Sequence, residues 1–372
     1  MMIPDKQNAY PDQAPQTLSI RDRYLQAVRR QRDDYVPFSF SLCPSQEDRF
    51  FAMTGQRDYQ SYYQFPSRTV YPRGLGDKSR FEGFFPDMTD IRLDDWGVGY
   101  KSGSLAHFTK MQHPMESFST IAEFEAYPYP DPLKDFDWEG AASQTRQIQA
   151  NDLVAIGGMA VTIFEIAWYL RGMEQFMIDM ATEPELAACH LDRITSIRCV
   201  MAGQYAKAGV DILHLGDDVS TQLAMMMHPD TWRNMIKPRL AAVIQAARAV
   251  NPDILIFYHG DGNLQTIIPD LIEIGVDILN PIQPECMDPV EIKRLYGDRL
   301  TLCGTIGTQS TLPFGTAEEV RSWCEKMIDI VGKGGGLLLE PTHMVEPEVP
   351  WENLLAFLDV VCTFNAKGKV QS

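Results

Sequence analysis

The segment Phe257-Tyr-His-Gly-Asp-Gly262 holds the residues whose types and spacing are best suited to chemistry. It closes a short apolar run that changes abruptly to histidine, glycine and aspartate. Alternate residues at a strand end share a face, so His259 and Asp261 are expected to point into one cavity. An imidazole and a carboxylate that converge in this way either bind a divalent metal or relay protons.

Composition limits the kind of protein that this segment can serve. The chain has 372 residues, of which 45% are hydrophobic, and this is enough for one large domain or two smaller ones. Its net charge of −17 argues against binding to nucleic acid or to an anionic membrane surface. A soluble enzyme or a small-molecule binder is the expected class.

Cysteine usage and the chain ends indicate a cytoplasmic protein. The seven cysteines form no C-x-x-C pair, which favours reduced thiols over a disulfide framework. Neither a secretory signal nor an apolar run long enough for a membrane span is apparent. Residues 1–18 are predicted to form a flexible arm, 19–366 the folded domain and 367–372 a tail.

Hydrophobic periodicity predicts a (β/α)₈ TIM barrel: one domain with an N-terminal extension and long loops in its first half. A helix is expected at 20–30, a first strand at 36–42 and a second strand at 91–100. Six further strands are predicted at 153–157, 210–215, 254–258, 276–280, 300–303 and 336–339. Helices are predicted between and after them at 184–207, 229–250, 264–274, 289–296, 317–331 and 350–364. This alternation gives eight parallel strands. A doubly wound open sheet is the alternative, but no G-x-G-x-x-G follows a first strand.

Residues suited to chemistry or to ligand contact are concentrated at the predicted strand ends, where a barrel has its active site. Those with acid or base capacity are Glu165, Asp217 and Asp218; those suited to substrate contact are Thr162, Phe164, Asn280, Gln283 and Gln309; and those suited to metal binding are His259, Asp261 and His343.

Each candidate also has a structural interpretation. One of Asp217 and Asp218 could cap the next helix, and Glu165 could pair with Arg171. The two glutamines could fix loops, and His214 is expected to be a core histidine with satisfied hydrogen bonds. The site interpretation is favoured for His259, Asp261 and His343, which lie beside glycine or close to proline.

Several longer motifs resemble the uroporphyrinogen decarboxylase superfamily. They are the entry segment 19–29 with Tyr35-Val-Pro37, Gly216-Asp-Asp-Val219 with Met235-Ile-Lys-Pro-Arg239, and the segments 270–284, 304–309 and 349–353. The resemblance extends over about 19 to 366, and it implies a TIM barrel, in agreement with the strand count.

The two main activities of this superfamily differ in the residues they use. Decarboxylases resemble one another in an arginine-rich loop after the first strand, whereas Ser41-Leu-Cys-Pro-Ser-Gln-Glu-Asp-Arg49 here has one arginine and two acids. Corrinoid-dependent methyltransferases hold zinc with His-x-Cys after the fifth strand and a cysteine after the eighth. The matching positions here are His259, Asp261 and His343, so a carboxylate and an imidazole replace the two thiolates.

The resemblance therefore implies a metal-dependent methyltransferase that demethylates a small substrate and passes the methyl group to a separate corrinoid protein. Zn²⁺ is the first expectation, while Fe²⁺, Mn²⁺ and Co²⁺ also suit these ligands, and an absence of metal stays open. The aromatic-rich first half favours a methoxylated aromatic substrate, held in an apolar pocket or under a lid. A homodimer is expected from the relatives. The alternatives are a decarboxylase of a small carboxylated substrate, with Asp217 or Asp261 stabilising a protonated intermediate and His343 as acid, and a non-catalytic binding or scaffold barrel.

Overall fold

Strands and helices alternate along most of the chain. A computed structural model describes residues 18–102 and 109–368. The strands, in chain order, are β1 Ser67–Val70, β2 Ile91–Leu93, β3 Gly99–Ser102, β4 Thr109–Gln112, β5 Val154–Ala160, β6 Ile212–Gly216, β7 Leu255–His259, β8 Ile278–Asn280, β9 Thr301–Cys303 and β10 Leu337–Leu338. The α-helices are α1 Ile20–Val28, α2 Pro44–Thr54, α3 Tyr59–Tyr62, α4 Ile121–Ala126, α5 Trp138–Ala150, α6 Phe164–Arg171, α7 Met173–Thr182, α8 Pro184–Ala208, α9 Pro229–Met235, α10 Lys237–Val250, α11 Ile268–Glu273, α12 Pro289–Tyr296, α13 Thr311–Phe314, α14 Ala317–Lys326 and α15 Trp351–Lys367. Two 3₁₀ helices, Lys78–Phe84 and Gln265–Ile267, and a π-helical turn, Met327–Val331, complete the described elements.

The strands form two sheets. The larger has seven strands in the order β1-β5-β6-β7-β8-β9-β10, and the smaller has the order β2-β3-β4. The described chain divides into a terminal unit (18–67, 152–154 and 281–368) and a central unit (68–102, 109–151 and 155–280). In the terminal unit the predicted first strand, 36–42, makes isolated parallel bridges to Leu339 and Val345 rather than a continuous ladder.

In the central unit, β5 to β8 pair in parallel and bring alternate residues into rows. Gly158, His214, Phe257 and Ile278 are successive register partners. The next row towards the strand ends is Ala160, Gly216, His259 and Asn280. Side chains alternate between the faces of a strand, so both rows lie on one face of the sheet.

The opposite face of these strands is covered by helix α8. A Cβ atom at Gly157 would lie 2.6 Å from the ring of Tyr205 on this helix, so only glycine lets α8 approach so closely. Proline at its first turn and Gly209 at φ +85° after its last turn mark the ends of α8. The face that carries His214 and His259 is therefore the one turned away from this helix.

The predicted second strand at 91–100 is wrong. The Asp94 carboxylate accepts hydrogen bonds from the backbone N–H groups of Trp96 (2.8 Å) and Val98 (2.9 Å), and Gly97 has φ +86°. These contacts make a tight turn, so β2 and β3 form an antiparallel hairpin. The parallel strand that precedes β5 in the sheet is β1 instead.

Two other predictions need similar correction. The helix predicted at 229–250 is divided at Ile236, because Pro238 can occupy only the first turn of a helix and α10 begins there. The aromatic side chains of 43–150 are in part core: Phe50 and Phe65 are buried among other aromatic rings of the terminal unit. By contrast, the capping box predicted at Thr316 and Glu319 is present at the start of α14. The predicted arm up to residue 17 and the tail after 368 lie outside the described residues.

Candidate metal centre

Three potential metal ligands converge at the ends of β6 and β7. Asp218 lies two residues after β6, His259 is the last residue of β7, and Asp261 follows two residues later. One ligand atom from each lies within 4.8 Å of the others. All three side chains are partly buried, and His259 Nε2 is 3.8 Å from Asp218 Oδ1. The sequence predicted His259 and Asp261 as metal ligands. Asp218, predicted as an acid or base, is the third potential ligand of this group in the central unit.

The backbone around this group is drawn together by glycines. At Gly216 a Cβ atom would lie 2.5 Å from the carbonyl oxygen of His259, so a larger residue would separate the ends of β6 and β7. Gly262 has φ +90° and lies against the backbone of Thr221. The Asp261 N–H also donates to Asp218 Oδ1 at 2.7 Å, which fixes the second aspartate relative to the first.

A hydrogen bond from the neighbouring strand orients the His259 ring. Its Nδ1 lies 2.7 Å from Oδ1 of Asn280, the last residue of β8. Because an amide oxygen can only accept, Nδ1 carries the hydrogen and Nε2 presents its lone pair towards Asp218. Fixing a histidine ligand through its other nitrogen is the usual arrangement at protein metal sites. Asn280, predicted to contact substrate, therefore contacts His259.

The adjacent Asp217 has a different role. Its fully buried carboxylate accepts hydrogen bonds from the N–H groups of Ile163 (3.0 and 3.1 Å) and Glu165 (3.0 Å) at the start of α6. Burial raises its pKa to about 6, although these backbone donors oppose the shift. Asp217 therefore caps a helix, but this helix is α6, which comes earlier in the chain, and not the next helix that the sequence predicted.

Glu165 lies between this cap and the candidate ligands. Its carboxyl oxygens accept from the Tyr169 hydroxyl at 3.1 Å and from the Asp218 N–H at 3.1 Å. Burial, together with the charges of Asp217 and Asp218, raises its pKa to about 8, so it is largely protonated at neutral pH. The alternative pairing with Arg171 is wrong, because Arg171 binds Asp179 at 2.7 Å.

Thr162 and Phe164, the two predicted substrate contacts between β5 and α6, make contacts within the protein interior. The Thr162 hydroxyl donates to the Met159 carbonyl at 2.8 Å and accepts from the Gly216 N–H at 2.9 Å, which joins the ends of β5 and β6. Phe164 is completely buried and packs against Phe176 at a ring distance of 5.9 Å. Both residues therefore stabilise the strand ends and the start of α6 next to Asp217.

The remaining predicted site residues belong to the terminal unit. His343 is exposed in the bend after β10, and Gln309 is exposed beside a surface groove of about 710 Å³. Gln283 is buried, and its amide oxygen accepts from the Cys286 thiol at 3.4 Å. Their predicted roles towards a ligand stay predictions.

The structure also shows features that the sequence interpretation missed. His214 Nε2 is buried and has no hydrogen-bond partner among the described residues, so the expectation of a satisfied core histidine is wrong. Burial, with His259 nearby, lowers the pKa of His214 to about 3. Tyr71, directly after β1, is 63% exposed, and its ring lies over Gly158 so closely that a Cβ atom there would clash. Tyr71 was missed because its strand was missed.

A strained residue lies beside the same strand end. Val161 has φ +61°, a conformation that β-branched residues rarely adopt. Its carbonyl accepts from the buried guanidinium of Arg198 at 2.7 Å, and the neighbouring Thr162 carbonyl accepts from the same group at 3.0 Å. Arg198 therefore holds the strained turn between β5 and α6, and strain of this kind is often found near functional sites.

Within residues 18–102 and 109–368, none of the helices combines the length and apolar content that crossing a bilayer requires.

The chain is similar in sequence to known methyltransferases and decarboxylases. Over 207 residues it is 26% identical to the methylcobamide:CoM methyltransferase MtaA of Methanosarcina barkeri, a match that covers 56% of this chain and 57% of that protein. The chain thus spans little more than half the length of this relative. It is also 23% identical over 278 residues to a uroporphyrinogen decarboxylase of Pseudomonas fluorescens, covering 73% and 74% of the two chains.

A solved structure confirms the fold. A methyltransferase from Methanosarcina mazei superposes with a TM-score of 0.68 at 18% identity, over 93% of this chain and 99% of that one. The predicted TIM-barrel class is therefore correct. The profile of the uroporphyrinogen decarboxylase (URO-D) family matches residues 97–364, most of the chain. On this evidence the chain belongs to the uroporphyrinogen decarboxylase (URO-D) family of enzymes.

Proposed function

We propose that this protein is a metal-dependent methyltransferase that demethylates a small methoxylated aromatic compound and transfers the methyl group to a separate corrinoid protein. The observation that carries the proposal is the convergence of Asp218, His259 and Asp261 within 4.8 Å. The similarity to a methylcobamide methyltransferase supports the reaction class.

The donor set of this site suits a divalent cation. Two carboxylates and one imidazole match the ligands of Zn²⁺, and they are hard enough for Fe²⁺, Mn²⁺ or Co²⁺. Asn280 already orients His259, as such a site requires. His343, at the position where related methyltransferases carry a cysteine, is proposed as a further ligand. When bound, the ion would supply Lewis-acid polarisation of the substrate oxygen.

The residues of the chain divide the remaining tasks. Asp218, His259 and Asp261 hold the cation, and Asp217 fixes the start of α6. Glu165, whose carboxyl oxygen accepts from the Asp218 N–H, is proposed to supply the proton that the leaving oxygen takes up when its bond to the methyl group breaks. Gln283 and Gln309 are proposed as substrate contacts.

The test is a methyl-transfer assay with the zinc-loaded protein, 4-methoxyphenol and free cob(I)alamin. Formation of methylcobalamin, followed by its absorbance, should accompany release of the demethylated phenol. Asp218→Ala should abolish both products, whereas Glu340→Gln, a change in the terminal unit, should preserve them. Full activity of the metal-free wild type would refute the mechanism. Release of carbon dioxide from a carboxylated substrate without corrinoid would favour the decarboxylase alternative instead.

A further inference from the structure

One face of the central sheet remains partly accessible, although the other is closed. On β5 and β6, Ile156, Ala160 and His214 retain accessible surface, while Ala155, Leu213 and other residues that point the opposite way are buried. The accessible positions share the face that bears His259. A face of this kind next to candidate metal ligands is where a small molecule would lie.

On this face, the Nε2 atom of His214 is a buried polar atom with no hydrogen-bond partner within residues 18–102 and 109–368. Its ring centroid lies 6.1 Å from that of His259 and 4.5 Å from that of Phe257. It is one row deeper in the sheet than His259, because Gly216 rather than His214 is the register partner of His259. A neutral imidazole always has one donor and one acceptor, so the buried Nε2 leaves a hydrogen-bonding capacity unused, at a cost in stability.

Aromatic rings lie on either side of His214 along its row. Phe257 contacts it edge-to-face from β7, and on the β5 side Tyr71 lies over Gly158. Because Gly158 is the register partner of His214, Tyr71 and Phe257 flank the imidazole from opposite sides. Tyr71 is largely exposed, so the ring is available to contact a bound molecule. A flat apolar body with a polar substituent fits this arrangement.

We propose that His214 is a substrate-recognition residue: it hydrogen-bonds an oxygen substituent on the ring of a methoxyarene whose methoxyl group lies at Asp218, His259 and Asp261, while Tyr71 contacts the ring. This inference rests on the proposed function and narrows its substrate class to arenes that carry a second, neutral oxygen group. A carboxylate is disfavoured because two buried arginines of the central unit, Arg171 and Arg198, are engaged with Asp179 and with backbone carbonyls.

His214 lies one row below His259. This favours a substrate whose two oxygen groups are para to each other, since para substituents lie at opposite ends of the aromatic ring.

The experiment measures binding to the zinc-loaded full chain by isothermal titration calorimetry. The ligands are 4-methoxyphenol, methoxybenzene and 4-methoxybenzoate. Wild type should bind 4-methoxyphenol about tenfold more tightly than methoxybenzene, the effect of one buried hydrogen bond.

His214→Phe should remove this preference and leave methoxybenzene binding and zinc content unchanged. His214→Gln, which retains a donor and an acceptor, should restore part of it. Tyr71→Leu should weaken both ligands by a similar factor, because it contacts the ring and not the substituent. ¹⁵N spectra of the wild-type histidines provide a measurement independent of the variants, and 4-methoxyphenol should shift the His214 resonance.

Equal binding of the first two ligands to wild type would overturn the inference, as would tighter binding of 4-methoxybenzoate. So would an unchanged preference in His214→Phe, which would indicate that water alone satisfies the imidazole. If none of the arenes binds while zinc does, both the inference and the aromatic substrate fail, but the metal site stands. Absence of zinc binding would instead refute the proposed function itself.

Discussion

The ends of β6 and β7 and the ends of β9 and β10 both carry carboxylates, but their surroundings differ. At β6 and β7, a backbone N–H donates to Asp218 Oδ1, yet atoms of two carboxylates and an imidazole still lie within 4.8 Å of one another. At β10, the carboxyl group of Glu340 is met by hydrogen-bond donors: the Ser39 hydroxyl at 2.5 Å and the Cys303 thiol at 3.2 Å.

This difference shows what distinguishes a candidate metal site from an ordinary polar cluster. Converging acceptors repel one another and are stabilised by a cation, whereas a carboxyl group with neutral donors needs none. Burial also raises the pKa of Glu340 and favours its protonated form. A carboxylate at a strand end is therefore not enough to identify a metal site. The balance of hydrogen-bond donors and acceptors around the carboxylate distinguishes a metal site from an ordinary polar cluster.

Removing one acceptor from the first cluster should have the largest effect. In His259→Ala the zinc content should fall from about one ion per chain to background, because the remaining carboxylates lack the nitrogen ligand. Elemental analysis of protein purified without chelator measures this. Glu340→Gln is the matched control and should keep its zinc. Equal zinc content in His259→Ala and wild type would show that the cluster of Asp218, His259 and Asp261 does not differ from the surroundings of Glu340 in metal binding.

The neighbouring aspartates should separate stability from metal binding. Asp217→Ala leaves the buried N–H groups at the start of α6 without an acceptor and should lower the free energy of unfolding by about 2–4 kcal/mol. Asp218→Ala should lower that of the metal-free protein far less, yet abolish zinc binding. Urea denaturation of metal-free samples gives the comparison, and similar losses in both variants would contradict the division of roles.

The orientation of His259 provides a smaller test. Asn280→Ala should weaken zinc binding by about 10–100-fold, because Nδ1 loses the acceptor that fixes the ring. Asn280→Asp keeps an acceptor at the same position and should bind zinc at least as well as wild type. Competition with a chromogenic chelator measures both affinities. Equal weakening in the two variants would mean that size, and not the hydrogen bond, matters.

The smallest effect is expected at Glu340, as a dependence of stability on pH. Its pKa is raised in the folded protein, so the folded state holds a proton that the unfolded state has released. Stability should therefore fall as pH rises from the unfolded pKa through the raised folded pKa. Glu340→Gln should remove this decline, so its stability relative to wild type should increase with pH across that window. Thermal unfolding at several pH values measures it, and parallel curves would show that the donors keep Glu340 ionised.

The sequence was sufficient for the features that depend on local pattern. The apolar run before His259 and the alternation of side chains at its end predicted that His259 and Asp261 lie together, and in the structure they do. The strand–helix alternation after residue 150 gave the fold class, which the structural comparison confirms. The strand β1 was not predicted because Ser-Arg-Thr-Val lacks an apolar pattern. For the same reason Tyr71, which follows it, was not identified as a site residue.

By itself, then, the sequence determined that the chain is an acidic α/β protein with a histidine and an aspartate at one strand end. Tertiary structure alone decided which of Asp217 and Asp218 faces His259, since consecutive side chains turn to opposite faces and only the packing of α6 and α8 reveals which face is covered. It also decided that His214 lacks a partner, because hydrogen bonding depends on neighbours brought by other strands and not on spacing along the chain.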